Sequence, residues 1–266
     1  MGYLDTKRGN PLKKTKVIAV INQKGGVGKS TTVVNLSAAL GEAKKKVLVV
    51  DLDPQGNTSS GYGIEKEELE HDIYDALLDD YPVEDLIIDT CEKNVFAIPA
   101  TIQLAGAEVD MVTVDGREHL LKSLLSPINE HFDYVLIDCP PSLGLLTINA
   151  LVAADELLIP IQCEFYALEG VTKLLESMRM VKNRLNPELE IFGVLLTMYD
   201  ARTTLSKQVA EEVTAYFGKK VFKTIIPRNV KLSEAPSHGL PVTQYARMSK
   251  GAQAYIKLSK EVIRRG

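Results

Sequence analysis

Nowhere in the 266 residues do eighteen or more apolar residues run together, which argues against a membrane-spanning helix. The first sixteen residues, Met1 to Lys16, are polar and basic with no apolar centre, so they do not read as a secretory signal. They read as a flexible basic extension, or simply as an untidy terminus. Cysteine is scarce: Cys91, Cys139 and Cys163 are odd in number, far apart and set among apolar residues. That excludes a disulfide framework or a paired-cysteine metal site and predicts reduced, buried thiols in a cytoplasmic protein. Internal repeats, low-complexity tracts and long linkers are also missing. With 45% hydrophobic and 25% charged residues, residues 17–266 are expected to form one large α/β domain.

Positive charge is in short supply in the first part of the chain. Residues 1–150 carry 14 Lys+Arg against 23 Asp+Glu, whereas residues 151–266 carry 17 against 12. The overall charge of −4 therefore hides an acidic part and a basic one. The basic part either faces an anionic partner or is a scatter of solvated lysines.

What the chain has in quantity is short apolar runs. Val17–Ile21, Val47–Val50, Val95–Pro99, Tyr134–Ile137, Leu157–Ile161, Ile191–Leu196 and Thr224–Pro227 read as strands. Helical spacing lies between them at Ser30–Ala43, Arg117 to about Asn129, about Ala167 to Leu185, Ser206–Phe217 and Ser249 to about Arg264, and the acidic segment Glu65–Asp85 suggests surface helices. Strands alternating with helices predict a mostly parallel sheet covered by helices on both faces. Ligands of such sheets sit at the carboxyl ends of the strands.

At the end of the first strand stands Lys24-Gly25-Gly26-Val27-Gly28-Lys29-Ser30. Strand, glycine loop and helix in this order form a phosphate cradle, in which backbone N–H groups converge on an anion at a helix N-terminus. Lys29 would reach the terminal phosphates and Ser30 would offer its hydroxyl to Mg²⁺. The usual glycine six residues before that lysine is replaced by Gln23, and a second lysine, Lys24, precedes the double glycine.

Two further strands end in acid. Asp138 closes Tyr134–Ile137, where an aspartate either holds Mg²⁺ through its waters or caps the next turn. Asp51 and Asp53 follow the second strand, and an acidic group there can orient the water attacking a γ-phosphate. The alternative for Asp53 is a cap before Pro54.

The loop with its extra lysine resembles that of the deviant Walker A P-loop ATPases. Val50 through Asn57, Ile98 through Gly106, Asp138 through Leu151 and Ile226 through Gly239 extend the resemblance, closest to the ParA/Soj-type chromosome and plasmid partition ATPases, over nearly the whole chain from Val17. The resemblance implies ATP held by Lys24, Gly25, Gly26, Val27, Gly28, Lys29, Ser30 and Thr31, with Pro227 and Asn229 against the adenine. It implies Mg²⁺ at Ser30 and Asp138 with Asp51 nearby, and slow hydrolysis through Lys24, Lys29 and Asp53, where Lys24 crosses to the partner's nucleotide in an ATP-dependent homodimer. Arg202 and Lys231 would bind DNA without sequence preference, Lys231 standing where some relatives have Arg. A ParB/Spo0J-type centromere-binding protein would stimulate hydrolysis, and the ATP form would sit on the nucleoid.

Rival readings are a MinD-like division-site ATPase anchored to a membrane by the segment Tyr255–Arg265, a reductase like the nitrogenase iron protein, a small-molecule ligase or kinase, and a nucleotide sensor that never turns over. The first conflicts with Tyr255, Ile256, Val262 and Ile263, which are better suited to packing on the sheet, and the second with the position of Cys139 beside Asp138.

Overall fold

The computed structural model describes residues 14–165 and 169–266. Residues 1–13 of the expected basic extension and residues 167 and 168 of the helix expected from about Ala167 lie outside them. Lys14–Lys16 belong to the fold: the Thr15 hydroxyl donates to the carbonyls of Asn129 and Phe132, and Lys16 opens the first strand.

Seven strands form one sheet: β1 (Lys16–Val20), β2 (Val47–Asp51), β3 (Ile88–Asp89), β4 (Val95–Ile98), β5 (Tyr134–Asp138), β6 (Glu156–Gln162) and β7 (Glu190–Thr197). Their order is β3-β4-β2-β5-β1-β6-β7, parallel throughout except for the edge pair β3–β4. Alternate side chains go to opposite cores. Val17, Ala19, Leu48 and Val50 join one apolar cluster, while Ile18, Val20, Val47 and Val49 join the other. Burial on both faces is why these strands read as continuous apolar runs rather than as alternating ones.

Helices α3 (Ile73–Leu78), α4 (Leu104–Asp110), α5 (Leu120–Leu125), α6 (Leu145–Ala153), α7 (Glu169–Arg184) and α8 (Thr204–Phe217) cover the first cluster. The second is covered by α1 (Lys29–Glu42), α9 (Val230–Glu234) and α11 (Lys250–Arg265), with α2 (Asn57–Gly61) and α10 (Val242–Tyr245) beside them. In α11, Tyr255, Leu258 and Val262 are buried, and the Tyr255 hydroxyl is 3.2 Å from that of Thr32 on α1. Side-chain caps start several helices: Asp72 closes a capping box on α3, and Thr203, Asn229 and Ser249 cap α8, α9 and α11.

Three expectations need correction. Thr224–Pro227 is not a strand but a loop, held to β7 by the Ile226 N–H, which donates to the Leu196 carbonyl at 2.9 Å, with a single bridge at Tyr199–Pro227, while Glu261 takes up the N–H groups of Lys223 and Thr224 at 2.9 and 3.0 Å. The acidic stretch 65–85 is only partly surface, since Ile73, Ala76 and Leu77 of α3 enter the core. Cys91, expected to be buried, is exposed, whereas Cys139 and Cys163 are buried free thiols. Among the described residues, no helix is long and apolar enough to cross a membrane.

Candidate functional site

The glycine loop runs from the carboxyl end of β1 into α1 and is fixed to its neighbours. Asn22 donates to the Pro160 carbonyl at 2.7 Å and accepts from the Lys24 N–H at 3.0 Å, while the Thr197 hydroxyl on β7 donates to the Val27 carbonyl at 2.8 Å. Gly26 and Gly28 have φ of 73° and 92°, left-handed values that glycine adopts at little cost. A Cβ at Gly25 or Gly26 would meet nothing within 4 Å, so both glycines face open space. α1 starts there, and its first N–H groups have no partner within the helix. Lys24, Gly25 and Gly26 are exposed, Ser30 and Thr31 half-buried, and Val27 and Lys29 buried.

Strand register brings the acids to the same edge. Asp51 and Asp138 are direct partners across β2 and β5, and Val20, the last residue of β1, lies beside Asp138. Asp138 is fully buried; its Oδ2 accepts from the Thr58 hydroxyl at 2.7 Å, and its Oδ1 has no hydrogen-bond partner. Burial pushes the Asp138 carboxyl up to about 6, opposed by the Ser30 and Thr58 hydroxyls and the Lys29 ammonium. Burial and the nearby Asp138 push Asp51 up to about 7.

The Asp51 carboxylate is committed elsewhere: Oδ2 accepts from the Ser59 N–H and hydroxyl at 2.8 Å each, and Oδ1 from the Asp53 N–H at 3.2 Å. The Ser59 oxygen in turn accepts from the Ala100 N–H. Asp51 therefore clamps the loops after β2 and β4 together rather than turning its oxygens to a metal. Asp53 is buried in the same loop, where its Oδ1 accepts from the Gln55 N–H at 3.0 Å and its carbonyl from the Gly56 N–H at 2.8 Å.

The structure thus gathers Lys24–Thr31, Asp53 and Asp138 on one edge. It adds Asn22, Thr58, Ser59 and Thr197, which the sequence reading did not single out. Only Thr58 carried a signal, a hydroxyl residue opening the helix after the Asp51–Gln55 turn.

Pro227 lines a cavity of about 390 Å³ together with Tyr199, Thr224 and Lys250. Asn229 caps α9, its Oδ1 accepting from the Lys231 N–H at 3.1 Å. Arg202 is exposed and Lys231 half-buried, and each faces a carboxylate: Arg202 holds Asp200 in a bidentate pair at 2.9 and 2.7 Å, and Lys231 holds Glu234 at 2.7 Å.

The residues fit a magnesium nucleotide. An open glycine cradle, a buried lysine, a helix N-terminal hydroxyl and a buried carboxylate with one free oxygen are the donors that a phosphate-bound, largely hydrated Mg²⁺ requires.

Comparison with known proteins agrees with this geometry. The AAA_31 family model, described as an AAA domain, matches residues 15–191. The sporulation initiation inhibitor protein Soj of Bacillus subtilis is 58% identical over 251 residues, covering 94% of this chain and 99% of its own length. The chromosome partitioning protein ParA of Myxococcus xanthus is 50% identical over 250 residues, covering 94% and 88%. Among solved structures, the cobyrinic acid a,c-diamide synthase of Mycobacterium smegmatis with bound ATP analogue and magnesium aligns with a TM-score of 0.83 at 40% identity, covering 94% and 95%. Sheet order, glycine loop and chain-long similarity agree, and this protein belongs to the Soj/ParA family of chromosome-partitioning P-loop ATPases.

Proposed function

We propose that this chain is an ATP- and Mg²⁺-dependent partitioning switch whose ATP-bound homodimer holds DNA without sequence preference and releases it after hydrolysis. The observation that carries the reading is Asp138: a fully buried carboxylate with an unpartnered Oδ1, set at the open glycine cradle under the electrostatic influence of Lys29 and Ser30. Bound Mg²⁺ would neutralise the phosphate charge that develops as the γ-phosphoryl group leaves. Lys24 through Thr31 bind and orient the triphosphate, Ser30 and Asp138 hold the ion and its waters, and Asp53 orients the attacking water. Lys24, exposed at the mouth of the cradle, reaches a second copy of the chain. Pro227 and Asn229 flank the base, while Arg202 and Lys231 face DNA phosphates.

Slow turnover suits a timer, and a ParB/Spo0J-type protein bound at the centromere supplies the acceleration. The burial of Tyr255, Leu258 and Val262 removes the apolar face that a membrane-anchoring α11 would need.

The test compares binding of the Asp53→Ala protein to an arbitrary duplex and to anionic liposomes, with Mg·ATP and with Mg·ADP. Duplex binding with ATP only, lost in Arg202→Ala, is the expected result. Liposome binding without duplex binding would overturn the reading in favour of a division-site ATPase.

A further inference from the structure

Resting on the DNA-binding reading above, the geometry points to Arg228 as a third phosphate-facing cation beside Arg202 and Lys231, and to Asp200, Glu164 and Glu234 as built-in competitors that keep this face near neutral until DNA displaces them. The two segments carrying the cations are joined backbone to backbone. Tyr199 N–H donates to the Ile226 carbonyl at 3.1 Å, Arg228 N–H donates to the Tyr199 carbonyl at 3.0 Å, and Tyr199 pairs with Pro227 in a parallel bridge. Arg202 is therefore three residues from one side of that bridge, and Arg228 and Lys231 are one and four residues from the other.

Each cation is paired with a carboxylate. Arg202 Nε and Nη2 donate to Asp200 Oδ1 and Oδ2 at 2.9 and 2.7 Å, Arg228 Nη2 donates to Glu164 Oε1 at 2.7 Å, and Lys231 Nζ donates to Glu234 Oε2 at 2.7 Å. The Tyr245 hydroxyl steadies Glu234 from the side at 2.9 Å, and the Lys231 ammonium lies 5.5 Å from the Tyr245 ring centre. Arg228 also acts electrostatically on Asp200, so the Arg202 and Arg228 pairs form one charge cluster.

These pairs are poor candidates for holding the fold together. Two join residues two or three apart in sequence and tie nothing distant. All three cations keep much of their side chains in water, at 86% for Arg202, 59% for Arg228 and 44% for Lys231. Exposed pairs of this kind contribute little to stability and are broken at little cost. Their main effect is on the charge presented to an approaching anion. A duplex backbone that takes each cation, the arginines through two parallel N–H bonds, must displace the carboxylate beside it or bind against its repulsion. A single copy thus presents a weak field, and two copies brought together by ATP double the number of contacts.

The experiment measures binding of the full chain to a random-sequence duplex, with Mg²⁺ and a non-hydrolysable ATP analogue, across a salt series. Asp200→Asn, Glu164→Gln and Glu234→Gln are each expected to tighten binding about fivefold, the order of an exposed ion pair, and to steepen its salt dependence. Arg228→Ala is expected to weaken binding by a similar factor and to erase the gain from Glu164→Gln when the two are combined. Thermal melting of each variant, expected to match the parent within a few degrees, verifies folding. If Arg202→Ala and Lys231→Ala weaken binding while the carboxylate variants and Arg228→Ala leave it unchanged, the competitor inference is wrong and the DNA-binding reading stands. If no variant binds the duplex, or Arg202→Ala and Lys231→Ala bind as the parent does, the DNA-binding reading itself fails.

Discussion

Asp138→Asn should make the nucleotide-free protein more stable while removing its response to magnesium nucleotide. The carboxyl has no exposed surface, and its pKa is raised from the ordinary 3.8 to about 6. A carboxyl raised in this way costs the folded state almost nothing below about pH 3, where it is neutral whether the chain is folded or not. The cost grows as pH rises toward 6 and is then constant, because the unfolded chain gives up the proton earlier than the folded one. Above pH 6 the penalty is about 3 kcal/mol.

Asparagine is neutral throughout and keeps an oxygen for the Thr58 hydroxyl, which donates at 2.7 Å. It also removes the charge that helps raise Asp51. Urea unfolding without nucleotide should therefore show the variant about 3 kcal/mol more stable at about pH 7.5 and only about 1 kcal/mol more stable at about pH 4.5. Mg·ATP should raise the midpoint of the parent and leave that of the variant almost unmoved. A variant less stable than the parent at about pH 7.5 would refute the reasoning, since Lys29 and the two hydroxyls would then more than repay the burial of the charge.

Two other substitutions probe the frame around the site. At Gly239→Ala the new Cβ would stand 2.6 Å from the Gly63 Cα, and φ there is +62°. Left-handed strain of about 1–2 kcal/mol and overpacking of about 1–3 kcal/mol predict a loss near 3 kcal/mol, read from the urea midpoint; a loss below about 1 kcal/mol would mean that the backbones separate freely. Thr197→Val leaves the buried Val27 carbonyl without its 2.8 Å donor and should cost about 1–2 kcal/mol. Because that carbonyl belongs to the phosphate loop, nucleotide affinity measured by fluorescent-analogue titration should also fall several-fold, whereas a purely structural bond would leave affinity unchanged once the protein is folded.

Fold and site differ in how far they could be read from the sequence, and the difference follows from the range of the forces involved. Val17–Ile21 and Val47–Val50 are apolar at every position and mostly β-branched because both faces of their strands are buried, so a local pattern sufficed. The phosphate loop was equally legible, since Gly26 and Gly28 mark the backbone angles that the loop needs. Asp138 was readable as the end of an apolar run, but its lone oxygen was not, for that depends on Thr58, eighty positions earlier in the chain.

Thr224–Pro227 misled because its composition suits a strand, yet Glu261 on α11 takes the Thr224 N–H, leaving the Ile226 N–H as the segment's donor to β7. Cys91 misled because its immediate neighbours, Asp89, Thr90, Glu92 and Lys93, are polar and place it, exposed, in the turn between β3 and β4. Asp51 shows the limit most clearly. The resemblance put Asp51 near the metal and Asp53 at the attacking water, yet β2 ends at Asp51, and only one of the two acids, Asp53, sits in the turn beyond it. The other is drawn into the Ser59 N–H and hydroxyl, where a buried carboxylate finds the donors it needs, and so fixes the loop that carries Asp53.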